Sequence, residues 1–259
     1  DFKNNNLKDY SSKYLVRINA TGSQLESFVK DAIANSLKKP HQQKEAEHSK
    51  FFSYLGNQNN PPDAIIKNGD AFETKLISNP DSALQLNSSP PKNRLYSSDT
   101  RITSECRNCD GGNWKQKDLF YAIGHAKSGI LKYLLLIQGT CYAADKEIYE
   151  KVSSPLKKGI SLMLKSSNLE TGKDTNELGK VKRVDPLGIT LLRIRGMWII
   201  QNPKKVFSNI FSLDKSKDFS LVALMEKSKY ESFPKDSISK IENNSRISAK
   251  NVKIKNPNN

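Results

Sequence analysis

The sequence predicts an α/β or α+β protein in which a central mixed β-sheet is flanked by helices. Three patterns support this prediction: an apolar helical stripe after Ser23, a β-hairpin between residues 62 and 75, and a continuous apolar run from Leu131 to Gln138. Helix, hairpin, helix and strand follow one another along the chain. Elements in that order bury their apolar faces by packing helices against a mixed sheet.

The first predicted element is a helix that ends at Leu37. Ser23 and Glu26 have the spacing of a capping box, and the apolar residues that follow lie on one helical stripe, namely Leu25, Phe28, Val29, Ala32 and Ile33. The polar segment from Lys38 to Lys50 predicts a loop. Phe51 to Leu55 is a short apolar segment that precedes a polar turn.

The hairpin consists of two short apolar runs joined by Asn68-Gly69, and the length of its turn decides which side chains share a face. Alternation along the second strand puts Glu73 and Lys75 on one face. A two-residue turn would place Asp63 on the opposite face. A three-residue loop with its glycine left-handed would instead place Asp63 opposite Glu73, and we predict this register.

The middle of the chain predicts one long loop, two helices and a buried strand. Leu86 to Arg107 is rich in Ser, Pro, Asn and Arg, which is typical of a long functional loop. Trp114 to Lys127 predicts a helix that directs Leu119, Phe120 and Ile123 inward. Leu131 to Gln138 predicts a central strand covered on both faces. Asp145 to Lys158 predicts an amphipathic helix.

The last third of the chain has weaker patterns. Residues 189–200 predict a strand with one face formed by Ile189, Leu191, Arg193 and Arg195. Lys204 to Phe211 predicts a short helix, and the Ser-, Asn- and Lys-rich segment from Lys235 onward predicts extended or partly disordered chain. We expect residues 1–211 to form the main domain. Residues 212–259 would be a basic extension that belongs to this domain or packs on it.

The composition favours a polyanionic partner. Lys and Arg number 42 against 27 acids in 259 residues, a net charge of +15, and these cations are spread along the chain. Nucleic acid is therefore the leading partner, and a membrane surface is less attractive. No apolar run approaches the ~20 residues that span a bilayer. Three cysteines indicate a reducing compartment, and we expect a cytoplasmic protein.

Asp63, Glu73 and Lys75 together predict a metal-dependent phosphodiesterase site. Hydrolysis of a phosphodiester brings water to a centre screened by negative oxygens, and a hard cation held by oxygen ligands overcomes this. Asp63, Glu73 and the carbonyl of Thr74 are the candidate ligands of Mg²⁺. Lys75 would orient or help to deprotonate the attacking water and offset the charge that develops.

The same residues have a second interpretation as surface decoration. A lysine-rich chain produces an acid-x-lysine pattern by chance, and an acid beside a turn is ordinary. The other match to that pattern, Asp1-Phe2-Lys3, has no acid upstream of it. The complete pattern occurs once, and it occurs on the predicted hairpin.

The hairpin motif and several longer segments resemble known nucleases. Pro62-Asp63 followed by Glu73-x-Lys75, after a helix with Glu26, resembles the PD-(D/E)xK nuclease superfamily. Further segments are similar to type II restriction endonucleases of the NgoPII type, and these cover most of residues 22–211: Phe52-Ser-Tyr-Leu-Gly56, Asn60-Pro-Pro-Asp63, Leu86-Asn-Ser-Ser89, Pro91-Lys92, Cys106-x-x-Cys109, Arg183 to Thr190 and Arg195-Gly-Met-Trp198.

The resemblance implies a restriction-endonuclease-like fold and magnesium-dependent cleavage of both strands of double-stranded DNA at a short, GGCC-like palindrome. By the same resemblance, Asp63 and Glu73 would be metal ligands and Lys75 the catalytic lysine. Glu26 would match the helix glutamate that approaches the metal through water. Its alternative role is that of the capping-box residue at the start of its helix.

Two groups of basic residues are candidates for DNA contact. Arg193 and Arg195 share a strand face, and arginine matches the O6 and N7 atoms of guanine; a solvated sheet edge or phosphate contacts are the alternatives. Lys92, Arg94 and Arg101 lie in the predicted long loop, where they would contact a DNA groove or be solvated charges.

Cys106-x-x-Cys109 has the spacing of a zinc knuckle. Structural zinc usually takes four ligands, and Cys141 and His125 would have to be recruited from distant positions. Ordinary reduced thiols are the alternative, which we favour.

Three functional hypotheses follow from these patterns. The preferred one is a sequence-specific endonuclease, which a palindromic target and one site per chain would make a twofold homodimer. The second is a structure-specific repair or recombination nuclease. The third is a non-catalytic DNA-binding protein that uses its charge alone.

Overall fold

A mixed β-sheet forms the centre of the protein. The computed structural model describes residues 5–7, 20–57, 59–167, 169, 171, 177–214 and 216–259. The strands in this part of the chain are β1 Phe52–Leu55, β2 Ala64–Ile66, β3 Ala71–Ile77, β4 Leu84–Gln85, β5 Arg94–Tyr96, β6 Gln116–Lys127, β7 Ile130–Gln138, β8 Gly179–Val181, β9 Leu192–Ile194, β10 Ile199–Ile200 and β11 Ser220–Leu224.

The helices lie outside the sheet. They are α1 Ala20–Ile33, α2 His41–Phe51, α3 Ser104–Asn108, α4 Lys146–Ser166, α5 Pro203–Val206, α6 Lys227–Glu231 and α7 Lys235–Glu242, with short 3-10 turns at Cys109–Gly112 and Gly139–Cys141. In the part of the chain that the structure describes, none of them has the length and apolar character needed to cross a bilayer.

The main sheet has seven strands in the order β1-β2-β3-β6-β7-β11, with β5 paired to β6 outside this path. β3 and β6 run parallel, as do β7 and β11, while β1–β2, β2–β3, β5–β6 and β6–β7 are antiparallel. Two small sheets, β4–β10 and β8–β9, lie beside it. The predicted fold class, a central mixed sheet flanked by helices, is confirmed.

Each face of the sheet has its own hydrophobic core. On one face α1 packs Leu25, Phe28 and Val29 against Ala122 and Leu134. The larger core lies on the other face, where segments around β4, α3 and α5 cover the sheet; its sheet residues include Leu119, Tyr121, Ile123, Leu135 and Ile137. Glu73 and Lys75 lie on this second face, since β3 pairs Glu73 with Tyr121 and Lys75 with Ile123.

Two predicted elements are confirmed with small changes. The apolar run at residues 131–138 is the buried strand β7, one residue longer at its start. The amphipathic helix is α4, which begins after Asp145 as expected but continues to Ser166. The short helix predicted at residues 204–211 ends at Val206 and continues as a turn.

The predicted helix at residues 114–127 is wrong, because this segment is the twelve-residue strand β6. β6 is a central strand, and each of its faces lies against one of the two hydrophobic cores, so it has no polar alternation. Leu119, Phe120 and Ile123 fit a helical stripe by spacing, yet all three are simply buried in the sheet. An apolar segment of this kind cannot be assigned from periodicity alone.

The predicted loop at residues 38–50 is also wrong, because most of it forms α2. α2 has no buried residue and therefore no apolar stripe to mark it. Ion pairs stabilise it instead: Asp31 on α1 accepts from His48 at 2.8 Å and from Lys44, and Glu47 pairs with Lys39 at 2.7 Å. These contacts depend on the tertiary structure, so the local sequence gives no sign of them.

The first helix is displaced from its prediction. α1 begins at Ala20 and ends at Ile33, because Asn35 has a positive φ of 52° that terminates it before Leu37. Ser23 therefore lies inside the helix and not at its N-cap. The capping-box role for Glu26 is excluded by this placement.

Three further predictions need correction. The strand predicted at residues 189–200 is divided into β9 and β10, which pair with β8 and β4 respectively. The long loop at residues 86–107 includes the strand β5 and most of α3. The segment after Lys235 begins with the helix α7 and becomes irregular only after residue 242.

The chain beyond residue 211 contributes directly to the sheet. β11 pairs in parallel with β7, from Ser220 opposite Tyr133 to Leu224 opposite Ile137. Val222 and Ile254 pack against the larger core. The division into residues 1–211 and 212–259 stays a prediction.

Candidate active site

The β2–β3 hairpin has the predicted register. Ala64 pairs with Phe72 and Ile65 with Ala71, and the amide of Ile66 donates to the carbonyl of Asp70 at 2.9 Å, which leaves a three-residue loop. The left-handed residue of this loop is Asn68, with φ of 53°, and not Gly69. Asn tolerates this conformation, and it occupies the turn position that requires a positive φ.

Asp63 lies directly before β2, where the strand pairing is irregular. Its amide donates to the carbonyl of Phe72 at 2.9 Å, one residue out of the register of the strand pair. Its side chain still reaches across to β3, because Oδ2 accepts from the amide of Thr74 at 2.6 Å. The carboxylate of Asp63 is therefore held beside Glu73.

Gly56 fixes the backbone of Asp63 from the β1 side. Its amide donates to the carbonyl of Asp63 at 2.8 Å. A Cβ at this glycine would lie 2.4 Å from the carbonyl oxygen of Pro62 and 2.8 Å from Cα of Asp63. This close approach of two backbones requires glycine.

The acids of the site repel each other. Burial raises the pKa of Asp63 to about 7, with further contributions from the charges of Glu73 and Glu26 and an opposing effect from Lys75. Burial lowers the pKa of Lys75, but attraction to Glu73 and Asp63 outweighs it and the pKa lies above its usual value. A carboxylate with a raised pKa next to another acid is typical of a site that functions with a cation.

Lys75 and Glu73 form the closest contact of the group. Lys75 Nζ donates to Glu73 Oε1 at 2.6 Å, and both side chains are largely buried, with exposed fractions of 29% and 17%. Glu26 approaches from α1, where it pairs with Lys30 at 2.5 Å. Its charge acts on both Asp63 and Lys75, so Glu26 lies near the hairpin group. Among the described residues, however, Glu26 does not join Asp63 and Glu73 in a three-acid group that could hold a metal.

A cleft of about 850 Å³ opens above the three hairpin residues. Its walls come from Asn57, Asn59 and Asn60, from the segment around residues 86–92 and from the β8–β9 sheet. Of the predicted DNA-contacting residues, four line it: Lys92, Arg101, Arg193 and Arg195. The cleft therefore joins the acidic group to a wall of cations.

The residues predicted in the long loop divide into two groups. Lys92 pairs with Asp99 at 2.6 Å inside the cleft wall, and the carbonyl of Arg101 accepts from Asn60 at 2.8 Å. Arg94 is not among the cleft-lining residues. It lies on β5 and donates to Asp118 of β6 at 2.8 Å, a contact that supports the sheet.

Arg193 and Arg195 lie on one face of the strand β9 and its continuation, as predicted. Both guanidinium groups donate to the carboxylate of Glu177, Arg195 through Nε at 2.8 Å and Arg193 through Nε and Nη2. These two hydrogen bonds are the largest cause of the lowered pKa of Glu177.

Two residues of this site have no signal in the sequence that marks them. Glu177 precedes β8 in a polar segment, and its pairing with β9 depends on a strand pair that the sequence does not indicate. Tyr121 lies in the segment predicted as a helix, which is the strand β6. Its hydroxyl donates to the carbonyl of Lys92 at 3.0 Å and accepts from the amide of Lys92 at 2.7 Å. The correct assignment of β6 as a strand would have placed Tyr121 beside Glu73.

The cysteines do not fit a zinc site. All three are buried free thiols, and burial raises the pKa of Cys106 to about 12 and that of Cys109 above its usual value. Across the described residues there is no group of three or more His, Cys, Asp and Glu side chains arranged to hold a metal. A thiolate ligand set of four is therefore not formed around Cys106 and Cys109.

The hairpin fits magnesium better. Asp63 and Glu73 supply carboxylate oxygens, the donor type that magnesium prefers, and magnesium is commonly held by one or two carboxylates with water completing its shell. The second observation is that burial, and after it the charges of Glu73 and Glu26, raise the pKa of Asp63; a cation between the acids would relieve their repulsion.

Comparisons with known proteins match nearly the whole chain to one family. The family model described as NgoPII restriction endonuclease matches residues 1–256. The chain is 42% identical over 245 residues to the type II restriction enzyme NgoPII of Neisseria gonorrhoeae, a match that covers 94% of this chain and 86% of that protein. No solved structure matches the chain significantly.

Proposed function

The chain belongs to the NgoPII restriction endonuclease family, and from that premise we propose that it cleaves both strands of DNA at a short palindrome with magnesium as cofactor. As a member of this family it is a type II site-specific deoxyribonuclease. The observation that supports the proposal most strongly is the group of Asp63, Glu73 and Lys75 at the base of a cation-lined cleft. The resemblance to NgoPII-type enzymes supports a GGCC-like target.

Asp63 and Glu73 would hold the cation through their carboxylates, with the carbonyl of Thr74 as a third oxygen ligand. Bound there, Mg²⁺ would supply Lewis-acid stabilisation of the charge on the phosphate oxygens. The amide of Thr74 keeps the carboxylate of Asp63 in place through its hydrogen bond of 2.6 Å. Glu26, from α1, would reach the same cation through water.

Lys75 has the position of the catalytic lysine. Its ammonium is held 2.6 Å from Glu73 Oε1 and cannot swing freely into solvent. From there it would orient the attacking water, or help to deprotonate it, and would stabilise the negative charge that develops on the phosphate. Its raised pKa keeps it protonated at neutral pH, which favours the orienting and charge-stabilising role.

Double-stranded DNA would enter through the cleft. The net charge of +15 attracts a polyanion from solution, and Lys92, Arg101, Arg193 and Arg195 provide cations on the walls. Since its substrate is DNA, we place the enzyme in the cytoplasm.

Digestion of a plasmid of known sequence with Mg²⁺ tests this function. We expect a discrete set of fragments whose sequenced ends fall in one short palindrome, and no cleavage when the metal is chelated. Cleavage confined to junctions or damaged sites would identify a repair nuclease instead. Tight binding without cleavage under all metal conditions would identify a DNA-binding protein.

We also propose that the enzyme acts as a homodimer, because each chain has one hairpin site and the target has two strands. The surface that supports this proposal is the α4 face, which we define as α4 with the neighbouring β8–β9 sheet. Six of the nineteen exposed large hydrophobic residues in the described part of the chain lie on it, namely Ile148, Val152, Leu156, Leu162, Met163 and Leu192. Exposed apolar residues that are grouped on one face are typical of a surface for protein association.

A second copy of the chain fits the α4 face. Ile148, Val152, Leu156 and Met163 form one exposed stripe along the helix, with exposed fractions between 40% and 55%. Two such helices packed antiparallel about a twofold axis would bury the stripes against each other.

Leu156→Glu tests the dimer, and Ile247→Glu is the matched control because Ile247 is similarly exposed but lies outside the α4 face. In sedimentation experiments we expect the parent protein and Ile247→Glu to be dimers and Leu156→Glu to be a monomer. The monomer should lose double-strand cleavage at low concentration. A monomeric parent protein, or a dimeric Leu156→Glu variant, would contradict the proposed surface.

A further inference from the structure

The contacts between Glu177, Arg193 and Arg195 are unusual for a cleft that binds a polyanion. Arg193 lies in β9 and Arg195 directly after it, so both project from the same face into the cleft. A wall that served only to attract phosphate would expose its positive charges without a carboxylate between them. Here Glu177 offsets one of the two charges, which points to a role other than attraction.

The carboxylate fixes the two guanidinium groups in different ways. Arg193 uses Nε and Nη2 on Glu177, whereas Arg195 uses Nε alone, at 2.8 Å. Glu177 has an exposed side-chain fraction of 9%, while the arginines are half exposed, at 50% and 52%. The nearly buried carboxylate therefore holds both arginine side chains, and their exposed guanidinium groups extend toward the cleft.

Arg195 keeps both terminal nitrogens available. Within the residues that the structure describes, its guanidinium makes only the Nε contact to Glu177, so Nη1 and Nη2 retain their donors. A guanidinium held through Nε has its plane fixed, and less side-chain entropy is lost when it binds a ligand. Two parallel donors in a fixed plane match a ligand with two adjacent acceptors.

Guanine offers such a pair in the major groove, the O6 and N7 acceptors. A phosphate also accepts two hydrogen bonds, but it gains most from net charge, which Glu177 reduces at this position. We therefore propose that Glu177 positions Arg195 to recognise O6 and N7 of one guanine in the target sequence. Arg193, which engages Glu177 through two donors, holds the carboxylate in place.

This inference rests on the proposed function, since it assigns part of the sequence recognition of the same cleft. The probe is a duplex with the cleaved sequence, compared with duplexes in which one guanine at a time is replaced by 7-deazaguanine. That replacement removes N7 and keeps Watson–Crick pairing. Single-turnover cleavage rates with Mg²⁺ are measured for the parent enzyme, Arg195→Ala, Arg195→Lys and Glu177→Gln.

We expect one guanine position at which 7-deazaguanine slows the parent enzyme by roughly 5- to 150-fold, the range for one bidentate base contact. Arg195→Ala should cleave the unmodified duplex slowly. Its cleavage rate should fall no further when 7-deazaguanine is placed at that position. Arg195→Lys should also lose most of the sensitivity, because an ammonium lacks the two fixed donors. Unchanged sensitivity of Arg195→Ala at every guanine would overturn the assignment.

Glu177→Gln tests the positioning role separately. It preserves the size of the side chain and an acceptor oxygen but removes the charge that holds the arginines. We expect a reduced 7-deazaguanine effect at the same guanine as for Arg195→Ala. A uniform loss of rate on all duplexes, with the sensitivity retained, would show a merely structural role.

Lys180→Ala is the matched control, because Lys180 lines the same cleft and pairs with Arg193 across the β8–β9 sheet. Lys180→Ala should lower the cleavage rate of every duplex by the same factor, as expected for a contact that depends on charge. The outcomes also separate the two proposals. Discrete plasmid fragments together with unchanged sensitivity of Arg195→Ala would refute this inference alone, whereas the absence of discrete fragments from the parent enzyme would refute both.

Discussion

The side chain of Asp63 is held where its charged form is disfavoured. Burial and the charges of Glu73 and Glu26 raise its pKa to about 7, while the side chain keeps a hydrogen bond to the Thr74 amide. In an unfolded chain the same carboxyl would titrate near its usual pKa of about 3.9. Between these pH values the folded protein binds a proton that the unfolded chain does not.

Asp63 therefore makes the stability of the metal-free protein depend on pH. Because the folded state holds the extra proton, the contribution of Asp63 to the free energy of unfolding should fall as pH rises from about 4 to about 7, by up to ~1.4 kcal/mol for each unit of pKa difference. Asp63→Asn removes this effect. At pH 8 in chelator its melting temperature should exceed that of the parent protein by several degrees.

Two comparisons make this prediction specific. At pH 4 the two proteins should melt within a degree of each other, and Asp236→Asn, an exposed residue on α7, should match the parent protein at both pH values. Added Mg²⁺ should stabilise the parent protein at pH 8 more than it stabilises Asp63→Asn. A destabilised Asp63→Asn at pH 8 in chelator would contradict the assigned electrostatics.

At this scale the sequence predicted the geometry of the hairpin well, because its contacts are local. The register of the hairpin depends on one turn, and counting residues from Asn68-Gly69 was sufficient to bring Asp63 beside Glu73. The choice of the left-handed residue was wrong, since both residues of that dipeptide tolerate a positive φ. Glu177 could not be predicted, because its partners are sixteen and eighteen residues away on another strand.

The position of Asp63 depends on a close approach between two segments, the residue that follows β1 and the residues that precede β2. Gly56 follows β1 and contacts the backbone of Pro62 and Asp63 at a distance that no other residue permits. A shift of the strand at this point would move the carboxylate of Asp63 relative to Glu73. Metal ligands displaced by about 1 Å commonly lower rates by about 100-fold.

Gly56→Ala should therefore lower the cleavage rate by about 10- to 100-fold, because its Cβ would lie 2.4 Å from the Pro62 carbonyl oxygen and displace Asp63. Gly22→Ala is the control, since a Cβ there meets nothing within 4 Å. Single-turnover cleavage of a target duplex measures both variants. If Gly56→Ala cuts as fast as Gly22→Ala, the packing of this glycine does not position Asp63.

The elements that the sequence failed to predict have a common physical reason. β6 is buried on both faces and α2 is buried on neither, so neither has the alternation or the stripe that marks a half-buried element. The half-buried elements β3 and α1 were found, although the ends of α1 were not. Local periodicity reports burial on one side only, and the order of strands in a sheet decides the other cases.

On the scale of the whole molecule, the C-terminal segment contacts the β2–β3 hairpin. β11 occupies the sheet edge beside β7, and α6 follows it across the end of the sheet. Lys229 on α6 pairs with Asp70, which ends the hairpin loop, at 2.5 Å and with Asp118 of β6 at 3.1 Å. Segments far apart in sequence thus meet at one cation.

Lys229→Met should destabilise the protein, because it leaves the largely buried Asp70 without its cation and, among the described residues, the neighbouring Asp118 with Arg94 alone. We expect a loss of about 1–3 kcal/mol, which lowers the melting temperature by several degrees in a chain of this size. Lys227→Met, on the same helix but with an exposed fraction of 69%, should change it by less than about a degree. Equal melting temperatures for the two variants would refute the anchoring role.

Asp63 and Glu73 of the hairpin are proposed to hold the cation with which the enzyme cuts DNA at one sequence. The most direct measurement is the number and sequence of DNA ends produced from a plasmid with Mg²⁺ by the parent enzyme and by Glu73→Gln, with binding to the same DNA measured in parallel. Glu73→Gln should bind DNA as tightly as the parent enzyme does, but its cleavage rate should be lower by a factor of about 100 or more. Site-specific ends formed by Glu73→Gln at the parent rate would contradict the account.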